Sequence, residues 1–88
     1  MKMIIAIVEN HFSDTTSNTL VKANFRVTRL ASTGGFLREG ATTLMVGVED
    51  NQLDTALELI REQIPLSNNQ EKIQATIYVL NVKDFRRV

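Results

Sequence analysis

The hydrophobic pattern of this sequence predicts an α+β domain of order β-α-β-β-α-β. Three observations carry that prediction. Apolar runs rich in β-branched residues lie near both ends, at residues 2–8 and 73–82. Between them, residues 25–30 and 42–48 alternate with a period of two around a glycine-rich connection. Leu53, Ala56, Leu57, Ile60 and Ile64 then form one stripe of helical period.

Each element has a local reason. Residues 2–8 are continuously apolar and bounded by polar residues, as in a strand buried on both faces. Ser13 or Asp14 is placed to cap a first helix running to about Ala23. Its run from Thr15 to Thr19 consists of poor helix formers, so this helix depends on tertiary packing. In residues 25–30, Phe25 and Val27 share one face and Arg26 and Thr28 the other; the alternation slips at Arg29 and Leu30, which predicts a bulge or a strand end. Leu44, Val46 and Val48 alternate with Thr43, Met45 and Gly47 in the third strand, and a glycine within a strand marks a close approach to the backbone. Asp50 or Asn51 is placed to cap the second helix, Asp50 and Asp54 complement its dipole, and Pro65 stops it. A short polar link to Lys72 leads into residues 73–82, apolar on both faces from Ile77 onward, and then a basic tail. This is the split βαβ, or ferredoxin-like, arrangement with an antiparallel four-stranded sheet. Its two helices cover one sheet face. The other face is apolar here too, and so short a chain has nothing left to cover it, which predicts self-association.

Eighty-eight residues make one domain, residues 1–88. Acids and bases cancel, so no overall field draws the chain to a nucleic acid polymer or an anionic membrane. The absence of cysteine excludes disulfides, thiolate metal sites and cysteine nucleophiles. The apolar start is too short for a signal-peptide core or a membrane span, so a cytoplasmic location without membrane insertion is expected. His11, the single histidine, sits in a polar connection with no nucleophile and orienting group marked around it, so no catalytic residue is assigned. Asp50, Asp54 and Glu58 fall on one helix face, but a solvated helix start explains them more simply than a metal site; no metal or cofactor is assigned. Lys83, Arg86 and Arg87 are weak grounds for nucleic-acid binding in a neutral chain. An RNA-recognition domain of this topology would need stacking aromatics on its third strand, which residues 41–48 lack.

The segment that stands out is the loop between the central strands. It holds Gly34, Gly35 and Gly40, three of the four glycines, with Phe36, Leu37 and Arg38 where a hairpin tip is normally polar. Successive loop amides can hold an anion, Arg38 can grip a phosphate or carboxylate, and Phe36 and Leu37 offer a surface for a flat base. The same residues also fit a hairpin loop buried against a neighbouring subunit. The residues themselves leave both readings open.

A resemblance bears on the choice. The opening Met1-Lys2-Met3-Ile4-Ile5-Ala6-Ile7-Val8, the run from Asn24 to Thr28, and the string Leu30-Ala31-Ser32-Thr33-Gly34-Gly35-Phe36-Leu37-Arg38 closely resemble the PII-like cyclic di-AMP receptor family of Gram-positive bacteria, within the nitrogen regulatory PII superfamily. So do Gly40, Thr42-Thr43, Gly47-Val48, the run from Ala75 to Val82, and Phe85. The resemblance implies a homotrimer, ligand sites in clefts between subunits, signalling to a target protein and no catalysis. It implies that Asn24, Arg26 and Thr28 contact ligand from the second strand. Gly35, Phe36, Leu37 and Arg38 would line the pocket, Ala41 would stand just past the loop, and Gly47 would leave room for the base.

Two departures separate the chain from the family pattern. The family has an asparagine where this chain has Ala41, and losing a buried hydrogen-bonding partner typically costs ~1–3 kcal/mol. The family also has a long glycine-containing loop where residues 65–72 form a short link without glycine. Three function classes follow: a PII-like trimer that binds cyclic di-AMP and relays it to an unidentified protein target; a divergent trimer that binds another nucleotide or only protein partners; and, least supported, a small enzyme of related topology.

Overall fold

The computed structural model describes residues 1–30, 40–64 and 74–88. Along the chain, β1 (Lys2–Glu9) leads into α1 (Asn10–Lys22), β2 (Arg26–Leu30) and β3 (Ala41–Val48). A 3-10 turn (Asp50–Gln52) then enters α2 (Leu53–Gln63), and β4 (Ala75–Asn81) completes the order. The fold is the ferredoxin-like β-α-β-β-α-β arrangement. Its four strands lie in the order β2-β3-β1-β4, and every neighbouring pair is antiparallel. β3 lies between the parallel β1 and β2, and β1 between the parallel β3 and β4, so two βαβ units interlock.

Register divides the sheet into two faces. Ile4 pairs with Val46 and Val79, and Ala6 with Leu44 and Ile77, on the face carrying the helices. Ile4, Ala6, Val8, Leu44 and Val46 are fully buried there with Leu20 of α1 and Ala56 and Ile60 of α2. The weak helix formers of α1 make sense in this packing. Ser13, Thr16, Ser17 and Leu20 are the buried residues of that helix, so its short hydroxyl side chains are what let it sit close to the sheet.

The helix starts differ from the sequence expectation. α1 begins at Asn10 without a side-chain cap, because the strand end supplies partners: Asn10 N–H donates to the Gly40 carbonyl at 2.8 Å and Thr42 Oγ1 donates to Asn10 Oδ1 at 2.6 Å. Ser13 instead donates to the carbonyl of Asn10 at 2.9 Å. Asp50 does not cap α2 either; its carboxylate takes the Met1 ammonium at 3.0 Å. α2 ends at Gln63, and Ile64 is extended, as a residue before proline favours.

Of the bulge or strand end expected at Arg29 and Leu30, the structure has the strand end: β2 pairs without interruption from Arg26↔Gly47 to Leu30↔Thr43 and its range closes at Leu30. Arg29 belongs to the helix face, where its guanidinium reaches the Asp14 carboxylate at 2.7 Å and Ser13 Oγ at 3.3 Å. A charged residue at the sheet edge kept its register by pairing with α1.

Among the described residues, no helix lies on the second face. Met3, Ile5 and Ile7 are half-buried on it, next to Met45. Tyr78 and Leu80 from β4 remain 53% and 48% exposed.

Candidate functional site

The uncovered face has a concavity at the end of the sheet where β2 begins. Arg26 stands opposite Gly47, Thr28 opposite Met45, and Met3 opposite Gly47 from the other side. Strand alternation therefore puts all five residues on one surface. The chain after β4 completes the wall: Val82 N–H donates to the Met1 carbonyl at 3.0 Å, and Phe85 and Arg87 then lie beside Met1. The resulting cavity measures about 610 Å³, within the range of small-molecule sites.

Its chemistry is an apolar floor with two cations. All three methionines of the chain line it, and their unbranched thioethers adapt to the shape of an occupant. Gly47 keeps the floor open. A Cβ there would lie 3.1 Å from the Met1 methyl, so that methyl covers bare backbone. Arg26 and Arg87 have no acidic partner among the described residues, whereas Arg86 pairs with Asp84 at 3.1 Å. The Arg87 guanidinium lies 5.9 Å from the centre of the Phe85 ring.

The structure brings together Arg26, Thr28 and Gly47 of the residues singled out from sequence. Asn24 lies at the end of α1. It has φ of +70°, its N–H donates to the Val21 carbonyl at 3.0 Å, and Phe25 N–H donates to the Leu20 carbonyl at 3.0 Å. That paired pattern is a Schellman helix end, with Phe25 packed into the core beside Leu20. Ala41 is 1% exposed and pairs with Glu9. It lies six residues from Gly47 along β3, a strand distance of roughly 20 Å. Gly35, Phe36, Leu37 and Arg38 lie outside the described residues, as does the link following Ile64.

Sequence reasoning missed Met1, Met3, Met45, Phe85 and Arg87 as cavity residues. Met3 and Met45 were accessible in principle, since strand parity aligns them with Gly47 once the register is known. Phe85 and Arg87 were not, because they follow the last strand and carry no periodicity that fixes their direction. His11 is exposed and meets the Phe12 ring edge-on at 4.9 Å. Among the described residues no group of three histidine or acidic side chains is arranged to hold a metal, and no helix is long and apolar enough to cross a membrane.

Two comparisons bear on this geometry. A family model described as cyclic-di-AMP receptor matches residues 1–73. A crystal structure of a functionally unknown protein from Pediococcus pentosaceus is 33% identical, with a TM-score of 0.78 over 99% of this chain and 96% of that one.

Proposed function

This chain belongs to the cyclic-di-AMP receptor family, and from that premise we propose that it is a non-enzymatic, PII-like signalling protein of the cytoplasm. It binds cyclic di-AMP in clefts between the subunits of a homotrimer and relays occupancy to a protein target. The observation that supports this most is the convergence of Arg26, Thr28 and Gly47 on one cavity of the uncovered sheet face. A ligand seated there lies against the surface that a second subunit would meet.

The roles follow from chemistry. Arg26 offers a forked donor to a phosphate, and the surrounding apolar wall strengthens that attraction by excluding water. Thr28 offers a hydroxyl that both donates and accepts. Gly47 lets a flat base lie on the backbone, with the methionines closing around its edge. In this reading Gly35, Phe36, Leu37 and Arg38 approach from the connecting loop, and Asn24 acts through the helix end that orients β2.

Ala41 favours the second reading, a trimer that has changed ligand or works through protein contacts alone. Its methyl offers no hydrogen bond where the family has an amide. Calorimetry against cyclic di-AMP, cyclic di-GMP, cyclic AMP and the linear dinucleotide separates the two readings. The expected result is preferential binding of cyclic di-AMP, weakened about tenfold to a hundredfold by Arg26→Ala. Absence of binding to any of the four would sink the nucleotide-receptor reading.

A further inference from the structure

Sulfur is unevenly distributed in this molecule. The chain has no cysteine, and its three methionines all line the cavity beside the start of β2. The core beneath the helices is built from isoleucine, leucine, valine, alanine and phenylalanine. Elsewhere on the uncovered face, β1 and β4 place Ile5, Ile7, Tyr78 and Leu80. The sulfur atoms, the groups a peroxide oxidises most readily, are therefore gathered in one concavity.

The setting favours the oxidised product. Met1 is 37% exposed at the rim, with Met3 and Met45 half-buried beside it. When a thioether meets hydrogen peroxide, its sulfur attacks one peroxide oxygen; the S–O bond forms as the O–O bond breaks. The proton of the transferred hydroxyl leaves with the other oxygen as water. Sulfur gives up two electrons and the peroxide takes them. A thioether is only a weak hydrogen-bond acceptor, whereas the sulfoxide is polar. Arg26 and Arg87 line the same cavity and have no acidic partner among the described residues. A charge-assisted hydrogen bond from either one to the new oxygen is roughly twice as strong as a neutral one.

We propose that Met1, Met3 and Met45 form a peroxide-modification site, with Met1 oxidised first, and that sulfoxide formation lowers the affinity of the cavity for nucleotide. Two effects act together. The Met1 methyl covers the backbone of Gly47, so its sulfoxide puts a polar group where a flat base would lie. The new oxygen also draws on Arg26 donors that a phosphate would use. Because a sulfoxide is neutral, the guanidinium charge remains, and binding is weakened rather than abolished. The proposal rests on the nucleotide-receptor reading and adds a chemical control that reading does not contain.

The test treats the full chain with hydrogen peroxide and locates sulfoxide by peptide mass spectrometry. Calorimetry with cyclic di-AMP follows on the reduced, the oxidised and the enzymatically re-reduced protein, the last made with both methionine sulfoxide reductases and a thiol. A chain carrying norleucine for all three methionines serves as control, since it keeps a flexible unbranched side chain and has no sulfur. Thermal melts and sedimentation accompany each sample. Met1 is expected to oxidise at a rate comparable to N-acetylmethionine amide, ahead of Met3 and Met45. Affinity is expected to fall about tenfold on oxidation and to return on reduction. The norleucine chain is expected to bind like the reduced wild type, with or without peroxide. If the reduced chain binds and the oxidised chain binds equally well, or the thioethers resist peroxide until the chain is unfolded, the proposal is overturned and the receptor reading stands. A loss of affinity shared by the norleucine chain, or one that tracks a fall in Tm or a change in sedimentation, overturns it as well. Failure of the reduced wild type to bind cyclic di-AMP overturns both.

Discussion

On β1, Ile4 is fully buried under the helices, while Ile5, one residue on, faces the side they leave uncovered and is half-buried. The same contrast runs across the sheet: Leu44 against Met45, Val46 against Gly47, Ile77 against Tyr78. Side-chain chemistry differs less than fate. Both faces carry aliphatic residues, but one is closed by α1 and α2 and the other holds a cavity edged by arginines. The covered face spends its hydrophobic surface on folding. The second face leaves its apolar surface open, which is where the proposed ligand and further copies of the chain would sit.

The sharpest way to break that comparison is to truncate matched residues on the two faces. Leu44→Ala leaves a hole beneath the helices and is expected to cost about 2–5 kcal/mol of unfolding free energy in urea denaturation. Met45→Ala, on the uncovered face beside it, is expected to cost less than half as much. Equal losses would mean that the two faces contribute alike to the folded chain.

Tyr78→Lys tests what the uncovered face is kept for. The proposed homotrimer would bury this residue against another subunit, and an unpaired charge there is expected to cost roughly 2 kcal/mol for each subunit. Sedimentation equilibrium should then show dissociation toward monomers, with circular dichroism unchanged. A wild-type chain that is already monomeric at micromolar concentration would remove this use of the face.

How far the sequence revealed this division depends on which contacts set it. The order of elements along the chain and both sheet faces were legible, because alternation is a local signal and residues 2–8 and 77–82 are apolar at every position or nearly so. At Arg29 and Leu30 the sequence left a bulge and a strand end open, and the choice of strand end was not legible because Arg29's partners, Asp14 and Ser13, lie on a different element. The start of α1 was misplaced for a similar reason: Gly40 and Thr42, some thirty residues on, provide what a cap would have provided. Asn24 entered as a ligand contact only through the family resemblance, and its left-handed backbone at the end of α1 is a structural task that side-chain chemistry alone does not reveal. The cavity was half legible. Arg26, Thr28 and Gly47 share strand parity, whereas Phe85 and Arg87 arrive by a path that only tertiary packing determines.

Ala41 lies on the strand parity of Gly47 yet is almost wholly enclosed, so it sharpens the comparison from within one face. Ala41→Asn is expected to strengthen cyclic di-AMP binding about fivefold, the order of one net hydrogen bond of ~1 kcal/mol. Seating the larger amide is expected to cost about 1–3 kcal/mol of stability, seen as a lower Tm. Affinity and stability therefore move in opposite directions. A fall in both would show that this end of β3 has no room for a donor facing the ligand.

The smallest effect concerns the ion pair at the rim of the cavity. The Met1 ammonium lies 3.0 Å from Asp50, and that hydrogen bond, with the attendant charge attraction and a lesser one from Lys2, lowers the carboxyl below its usual pKa of 3.8. Met1 also accepts from Val82 and places its methyl over Gly47, so the pair helps fix one wall of the cavity. A carboxyl with a lowered folded-state pKa stabilises fully above the unfolded value and loses that contribution as pH falls through the folded one. The Tm of wild type should therefore exceed that of Asp50→Asn by a small, constant margin near neutral pH. The margin should narrow below pH 3.8 and close at lower pH, and added salt should shrink it throughout, since the carboxylate is solvent-exposed. A margin that widened in acid would mean that Asp50 acts through packing rather than charge. A neutral-pH margin with no salt dependence would point the same way, and the wall formed by Met1 would then owe its position to the sheet hydrogen bond alone.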